Sequence, residues 1–289
     1  MQARSSPVTR GGRHEPLPSA PRRGEAPRVA HADFYRTARY YDVAFAYRDV
    51  PAEVGFLLAC AERWGTEVKR ALELASGPGV HARELARRGV AGWALDLSAP
   101  MVELCVEKAR RAGLPVEGMV ADMRAFTLPA PVDLALNLLT SISYLLEPSD
   151  LRAHFQAVYA ALAPGGVYVI ENNHPRDFWS GDHFRPSTWT SSDGDLTVEA
   201  TWHANAPRVD WIRQRYEVEA RYVAHERGER VEIADRAWQR MTLPSELQAY
   251  GEAAGFVLRE LFGELDRAQP LDDGPGAWRT VAVLQRPRA

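Results

Sequence analysis

Two cysteines, two lysines and no long apolar run are what this 289-residue chain offers in three categories that usually announce a function. Cys60 and Cys105 lie in apolar helical contexts with no partner at metal-ligand spacing. They fit buried thiols in a reducing compartment and give no metal site. The lysines, Lys69 and Lys108, leave no Tyr-x-x-x-Lys pair of the kind a hydride-transferring enzyme would use. No run of about 18 apolar residues is present, so no membrane-spanning helix is expected. The N-terminal arginines are not followed by an apolar stretch, so no secretory signal is read and a cytoplasmic location is expected. The net charge is −3, but residues 1–30 carry six arginines and two glutamates, a local +4 that leaves −7 for the rest. An acidic body argues against a nucleic-acid partner.

What is present falls into two parts. Residues 1–30 hold five prolines and almost no large apolar side chains. Such a stretch cannot bury enough surface to offset its ordering entropy, and a disordered basic tail is expected. Residues 31–289 read as one domain. An aromatic segment, FYRTARYYDVAFAY, leads into a helix from Pro51 to Trp64, with Pro51 in its first turn. An alternation follows. KRALELA, GWALDL, VEGMVAD, VDLALNLL and GVYVIEN read as strands. Helices between them span 79–88, stopped by Gly89; Ser98 to Ala112; and Ser149 or Asp150 to Leu162, ended by APGG. Strands that are apolar throughout, alternating with helices of this length, imply right-handed βαβ units and a parallel sheet covered on both faces.

Past Glu171 the period changes. Residues 185–240 alternate apolar and polar in LTVEATWHA, RVDWIRQRYEVEARYVA and ERVEIADRAWQRM, the pattern of an antiparallel meander with one wet face. This insertion suits a lid or a dimer face, so a monomer or a homodimer is expected. Its tryptophans 189, 202, 211 and 238 roof a pocket or fill a sheet core. Arg213, Arg215 and Arg221 meet an anion or form a solvated face. LPSELQAYGEAAG is then a helix, and FVLRELFGEL and AWRTVAVLQRP are two closing strands.

The first strand, turn and helix raise the question of a ligand. Gly77-Pro78-Gly79-Val80-His81-Ala82 matches the dinucleotide fingerprint, with Asp96 about 20 residues on. Other features point elsewhere. Pro78 removes an N–H from the turn, which makes a poorer phosphate cradle. Glu73 is an acid inside the first strand, costly unless an ammonium or backbone amides donate to it. Asp96 and Asp122 end the second and third strands on the edge where open α/β sheets bind ligands. One suits ribose hydroxyls and the other an exocyclic adenine amine.

LELASGPG, ALDLS, VADMRAF, VDLALNLLTSISYL and LAPGGVYVIE, in this order, resemble the motifs of the class I S-adenosylmethionine-dependent methyltransferases. The departure is Ala75, where that family more often has glycine. The resemblance implies an α/β fold with a Rossmann-like, seven-stranded, mostly parallel sheet and an antiparallel last strand, the small β insertion following strand five. It implies S-adenosylmethionine as cofactor, leaving as S-adenosylhomocysteine. Its binding residues would be Tyr41, Glu73, Ala75, Gly77, Gly79, Asp96, Leu97, Met101, Ala121, Asp122, Met123 and Asn137.

The acceptor side should lie at the exit of the fourth strand. There Asn137 to Leu145 lack the Asn/Asp-Pro-Pro-Tyr/Phe of the methyltransferases that act on nucleic-acid bases or protein glutamine. The exit is similar to that of small-molecule N-methyltransferases of the amino-sugar and glycine/sarcosine type. By that likeness Ser141 and Tyr144 face the substrate; Tyr35 in the aromatic segment, and Asn172 and His174 in the polar cluster after the fifth strand, are further substrate-side candidates. Tyr144 and His174 are the catalytic candidates, against the plainer readings of a core tyrosine and a turn-capping histidine. Tyr35, Tyr40 and Tyr41 would close over the sulfonium as an aromatic lid or pack as ordinary helix residues. The expected reaction is methyl transfer to a small-molecule amine by proximity and orientation. Transfer to oxygen or carbon, a nicotinamide-dependent oxidoreductase and a non-catalytic cofactor-binding protein are the alternatives.

Overall fold

The computed structural model describes residues 38–181 and 184–288. The basic tail and Tyr35 lie outside the described residues. Helices α1 (Ala38–Ala44) and α2 (Val50–Arg63) precede the first strand. Asp49 caps α2 by accepting from Ala52 N at 3.0 Å, so the helix starts at Val50, one residue ahead of the Pro51 start read from the sequence.

The alternation that follows is β1 (Arg70–Leu74), α3 (Val80–Arg87), β2 (Ala91–Asp96), α4 (Ala99–Arg111), β3 (Val116–Val120), β4 (Val132–Asn137), α5 (Pro148–Ala161) and β5 (Leu162–Asn173). After it come α6 (Pro175–Ser180) and the strands β6 (Ser187–Asp193), β7 (Leu196–Trp202), β8 (Val209–Asp210), β9 (Arg215–Glu226) and β10 (Glu229–Arg240). Helix α7 (Pro244–Ala254) and strands β11 (Val257–Phe262) and β12 (Arg279–Gln285) complete the order.

Seven strands form one sheet in the order β11-β12-β5-β4-β1-β2-β3. Its pairings from β5 through β3 are parallel, and β12 runs antiparallel between β5 and β11. This is the Rossmann-like sheet with an antiparallel last strand that the resemblance implied. Leu72, Leu74, Phe155, Tyr168 and Phe256 pack on one face, and Leu57, Leu136, Val169 and Val283 on the other. Covering both faces is why these strands read as unbroken apolar runs.

Several local readings change. Ser98 sits at the N-cap of α4 without a side-chain cap bond; its N–H donates instead to Asp96 Oδ1 at 2.8 Å. Helix α5 opens at Pro148, ahead of the expected caps Ser149 and Asp150, and Asp150 Oδ2 reaches back to Glu147 N. APGG does not separate helix from strand, because β5 already begins at Leu162. In the insertion, β6 was not visible in the sequence, and RVDWIRQRYEVEARYVA is broken by a turn at 211–214 between β8 and β9. Arg213 in that turn, Arg215 and Arg221 are ion-paired with Asp210, Glu147 and Glu219.

The second sheet, in the order β10-β9-β7-β6 with β8 beside β9, stands off the carboxyl end of the first. Its inward side chains Leu196, Val198, Ala200, Ala220, Tyr222 and Ala224 cluster with Val43 and Ala44 of α1. Trp189 donates its indole N–H to Ala44 O at 2.7 Å. Sheet and helix together form a roof over the carboxyl edge of β1 and β4.

Gly79 is the N-cap of α3 with φ +65°, and a Cβ there would overlap the Cys105 sulfur of α4. Gly79→Ala is expected to cost about 2–4 kcal/mol from left-handed strain plus overpacking. Urea unfolding at neutral pH checks this; a loss under about 0.5 kcal/mol would show that α4 yields freely.

Candidate active site

The turn after β1 is built backward from the helix it starts. Glu73 is buried at 5% exposure, and both of its carboxylate oxygens have protein partners. Oε2 accepts from Ala82 N at 2.8 Å, and Oε1 lies 2.9 Å from His81 Nδ1. Of the donors expected for Glu73, an ammonium or backbone amides, the structure supplies the Ala82 amide with His81 beside it, and this acid fixes the first turn of α3. Ala75 takes φ +50°, the left-handed conformation that glycine would adopt at less cost. Gly77 N donates to Asp96 Oδ2 at 2.7 Å, and Gly79 N to Ser76 O at 2.9 Å. Asp96, the last residue of β2, thus ties its carboxylate to the glycine turn. Burial raises its proton affinity, against the amides of Ser98 and Gly77, which lower it.

His81 continues the chain of contacts. Its Nε2 lies 2.7 Å from Glu53 Oε2 of α2. Arg48 Nε donates to Glu53 Oε1 at 2.8 Å, and Arg48 Nη2 to Glu171 Oε2 at 3.2 Å. Arg279 Nη1 closes on the other oxygen of Glu171 at 2.5 Å. Burial alone would depress the His81 pKa; the hydrogen bonds of Glu53 and Glu73 outweigh it and raise the value to about 9. Neither Arg48 nor this histidine was singled out from sequence. The available signal was a pair of acids, Glu73 and Glu171, inside apolar strands that each needed a cation.

The other expected cofactor residues divide. Leu97 is 59% exposed beside Asp96 at the sheet edge. Asp122 is half-buried and held by Arg124, whose Nη2 donates at 2.6 Å; these bonds keep its pKa below the usual carboxylate range against the effect of burial. Ala121 is half-buried beside it and Met123 buried. Met101 and Asn137 are fully buried. Asn137 Nδ2 donates to Met123 Sδ at 3.5 Å, while its Oδ1 is buried with no hydrogen-bond partner among the described residues. Tyr41 of α1 lies over the turn: a Cβ on Gly77 would stand 3.5 Å from its ring.

At the exit of β4, Leu139 and Thr140 take φ +53° and +59° in succession. Two consecutive non-glycine residues in this region store strain that the surroundings must hold. Leu139 N donates to Glu171 Oε2 at 3.0 Å. A 3-10 turn, Ser141–Tyr144, follows and packs against β10. Ser141 is half-buried at its start. The Tyr144 phenol is hydrogen-bonded to Gln239, and Tyr216 also donates to Gln239 Oε1 at 2.6 Å. Burial first, with the charges of Asp235 and Asp96, pushes the Tyr144 pKa up to about 12. The phenol therefore keeps its proton at neutral pH.

Asn172 and His174 are buried and spend their polar atoms on the protein itself. Asn172 Oδ1 accepts from Ser143 Oγ at 3.1 Å, and its Nδ2 donates to Thr242 O at 2.8 Å. His174 Nε2 lies 3.0 Å from Asp272 O, and its Nδ1 accepts from Arg176 N at 3.1 Å. With both nitrogens committed, His174 caps α6, and the expectation of a catalytic base is corrected.

Comparison with known proteins agrees with this architecture. Residues 71–166 match the family model described as a methyltransferase domain. A dTDP-4-amino-2,3,4,6-tetradeoxy-D-glucose N,N-dimethyltransferase of Saccharopolyspora spinosa is 29% identical over 154 residues, 53% of this chain and 57% of that protein. The chain therefore spans less than two thirds of that relative. An S-adenosylmethionine-dependent methyltransferase of Clostridium acetobutylicum superposes with TM-score 0.73 at 17% identity, covering 88% of this chain and 99% of the other. A sugar N-methyltransferase of Streptoalloteichus gives 0.68 at 20% identity, covering 95% and 99%. Residues 71–166 are thus similar to a methyltransferase domain, and the chain shares the fold of these solved methyltransferases.

The raised pKa of His81 gives a pH signature. Its folded value of about 9 lies above the ordinary 6.5, so the stabilisation is fully present below pH 6.5 and is lost as pH rises through 9. The stability gap between the parent protein and His81→Gln should be widest at pH 6.5 and narrow by pH 10. Urea midpoints across that range measure it; a gap that widens with pH would contradict a protonated His81.

Proposed function

We propose that this protein transfers a methyl group from S-adenosylmethionine to an amine nitrogen of a small molecule. The carrying observation is the clamp between Gly77 N and Asp96, which holds a glycine turn and a buried carboxylate side by side on the carboxyl edge. The residues fit such a cofactor. Asp96 has lone pairs beyond its two backbone bonds for a ribose diol. The exposed apolar face of Leu97 suits cover by a purine, and Asp122 suits an exocyclic amine. Arg48 Nη1 and Ser98 Oγ are among the buried polar atoms with no hydrogen-bond partner among the described residues. The first suits the carboxylate of the methionine portion. When bound, the cofactor supplies a methyl group already activated by the sulfonium charge. The protein's part is then to hold the acceptor in line and to exclude water.

Tyr41 and the roof sheet supply that cover. The similarity to amino-sugar N-methyltransferases supports an amine as acceptor. A small acceptor suits a roofed site better than a nucleic acid does. A cytoplasmic setting goes with two buried, unbridged cysteines.

Calorimetric titration with S-adenosylhomocysteine, with NADH in parallel, tests the reading. Binding of the first alone is expected, and binding of NADH alone would overturn it. Asp96→Ala should weaken S-adenosylhomocysteine by about 1–3 kcal/mol, roughly 5- to 150-fold. Unchanged affinity would remove Asp96 from the site.

A further inference from the structure

The large sheet has a second edge, away from the glycine turn, and arginines gather there. Gln285, the last residue of β12, pairs with Val167 of β5, while Arg279 at the other end of β12 pairs with Asn173. Gln285 therefore marks the amino edge of the parallel strands. A cleft of about 420 Å³ opens at this edge, lined by Arg63, Trp64, Arg259, Gln285, Pro287 and Arg288. Its volume is in the range of small-molecule sites.

The acceptors around the cleft are already taken. Gln285 is buried; its Nε2 donates to Trp64 O at 3.1 Å and to Gly165 O at 2.8 Å, and its Oε1 accepts from Arg259 Nε at 3.0 Å. Arg288 donates to Gly65 O and lies against two glycines, where a Cβ on Gly165 would stand 2.7 Å from its Nε. Trp64 O and Gly65 O follow the end of α2, where bare carbonyls would repel an anion; both are covered. Glu260 accepts from Trp64 Nε1 at 3.1 Å and pairs with Arg63 Nε at 2.8 Å, and it does not line the cleft.

What remains open is positive. The Arg259 guanidinium centre lies 4.8 Å from the Trp64 ring centroid, within cation–π range. Its Nε is tied to Gln285, and among the described residues its Nη1 and Nη2 donate to nothing. The indole and the glutamine thus hold a guanidinium fork in place, the shape that meets two oxygens of one anion. Three guanidinium groups border the cleft and one carboxylate stands behind it, so two positive charges are left over. A phosphate dianion neutralises both, whereas a monocarboxylate leaves one.

We propose that this cleft binds a phosphate group, carried by the free ion or by a small phosphate ester whose organic body lies against Trp64 and Pro287. The Arg259 fork holds the phosphate oxygens, and Arg63 and Arg288 complete the charge. The site is on the opposite edge from the Gly77–Asp96 clamp, and the inference stands independently of the methyltransferase reading.

Calorimetric titration of the full-length protein with phenyl phosphate, inorganic phosphate and benzoate tests this, at constant ionic strength and about pH 8, where a phosphate monoester is a dianion. Phenyl phosphate should bind at least about tenfold more tightly than benzoate. Inorganic phosphate binding as tightly as phenyl phosphate assigns the site to the free ion, and weaker binding assigns it to an ester. Arg259→Gln should weaken phenyl phosphate at least about tenfold. Arg288→Gln, which leaves the Trp64 stack intact, should weaken it as well and serves if the first variant does not fold. Saturating S-adenosylhomocysteine should leave the phosphate affinity unchanged, because the two edges are opposite. Failure of both phosphates to bind, or benzoate binding as tightly as phenyl phosphate, would overturn the inference. So would an affinity that survives in both variants, which is general charge attraction, or one abolished by S-adenosylhomocysteine, which places the phosphate at the glycine turn.

Discussion

A line of alternating charges holds this structure at the point where its parts meet. Glu73, His81, Glu53, Arg48, Glu171, Arg279 and Glu264 follow one another, each within about 3 Å of the next. They belong to β1, α3, α2, the segment after α1, β5, β12 and the loop after β11. Few of these groups reach water, so deleting one strands its neighbours as uncompensated buried charges, at a cost of about 3–5 kcal/mol. The glycine turn owes its shape to one end of this line. The strained exit of β4 owes its anchor, through Leu139 N, to the middle. Two loops on different strands are thereby fixed relative to one another without touching.

The second sheet solves a different problem. An open α/β sheet presents its carboxyl edge to solvent, and a reaction that needs water excluded requires cover. Here the cover is rigid along β9 and β10, which pair over twelve residues each. It is joined to the site by side chains, Gln239 to Tyr144 and Asn173 to Tyr216. On the proposed reading the acceptor side is made from two sheets, while the turn and acids of the cofactor side come from the first sheet alone.

That division explains what the sequence disclosed. Strands buried on both faces, glycine stops and acids at strand ends are local signals, and they marked the first sheet and the glycine turn. Strand β6, STWTSSD, is short on apolar residues and carries no period to read. His174 and Asn172 stood at the right strand end, but their partners, Asp272 and Thr242, are 98 and 70 residues away. Nothing near them in sequence shows that their polar atoms are already committed. Arg48 was hidden for the same reason, since Glu171 lies 123 residues on. Glu73 was read correctly as an acid needing donors; the donors came from the next helix rather than from a ligand.

The place of β12 carries a consequence for how the chain folds. This strand is hydrogen-bonded on both sides, to β5 and to β11, so the large sheet stays split until β12 arrives. Its partner β5 lies about a hundred residues earlier, a separation that slows closure. Between them sits the roof, built from hairpins and near neighbours that form quickly. Early collapse of that unit draws the ends of the interval together and shortens the effective loop. On this view the insertion doubles as a folding clasp, and weakening its hairpins should delay completion of a sheet to which it contributes no strand.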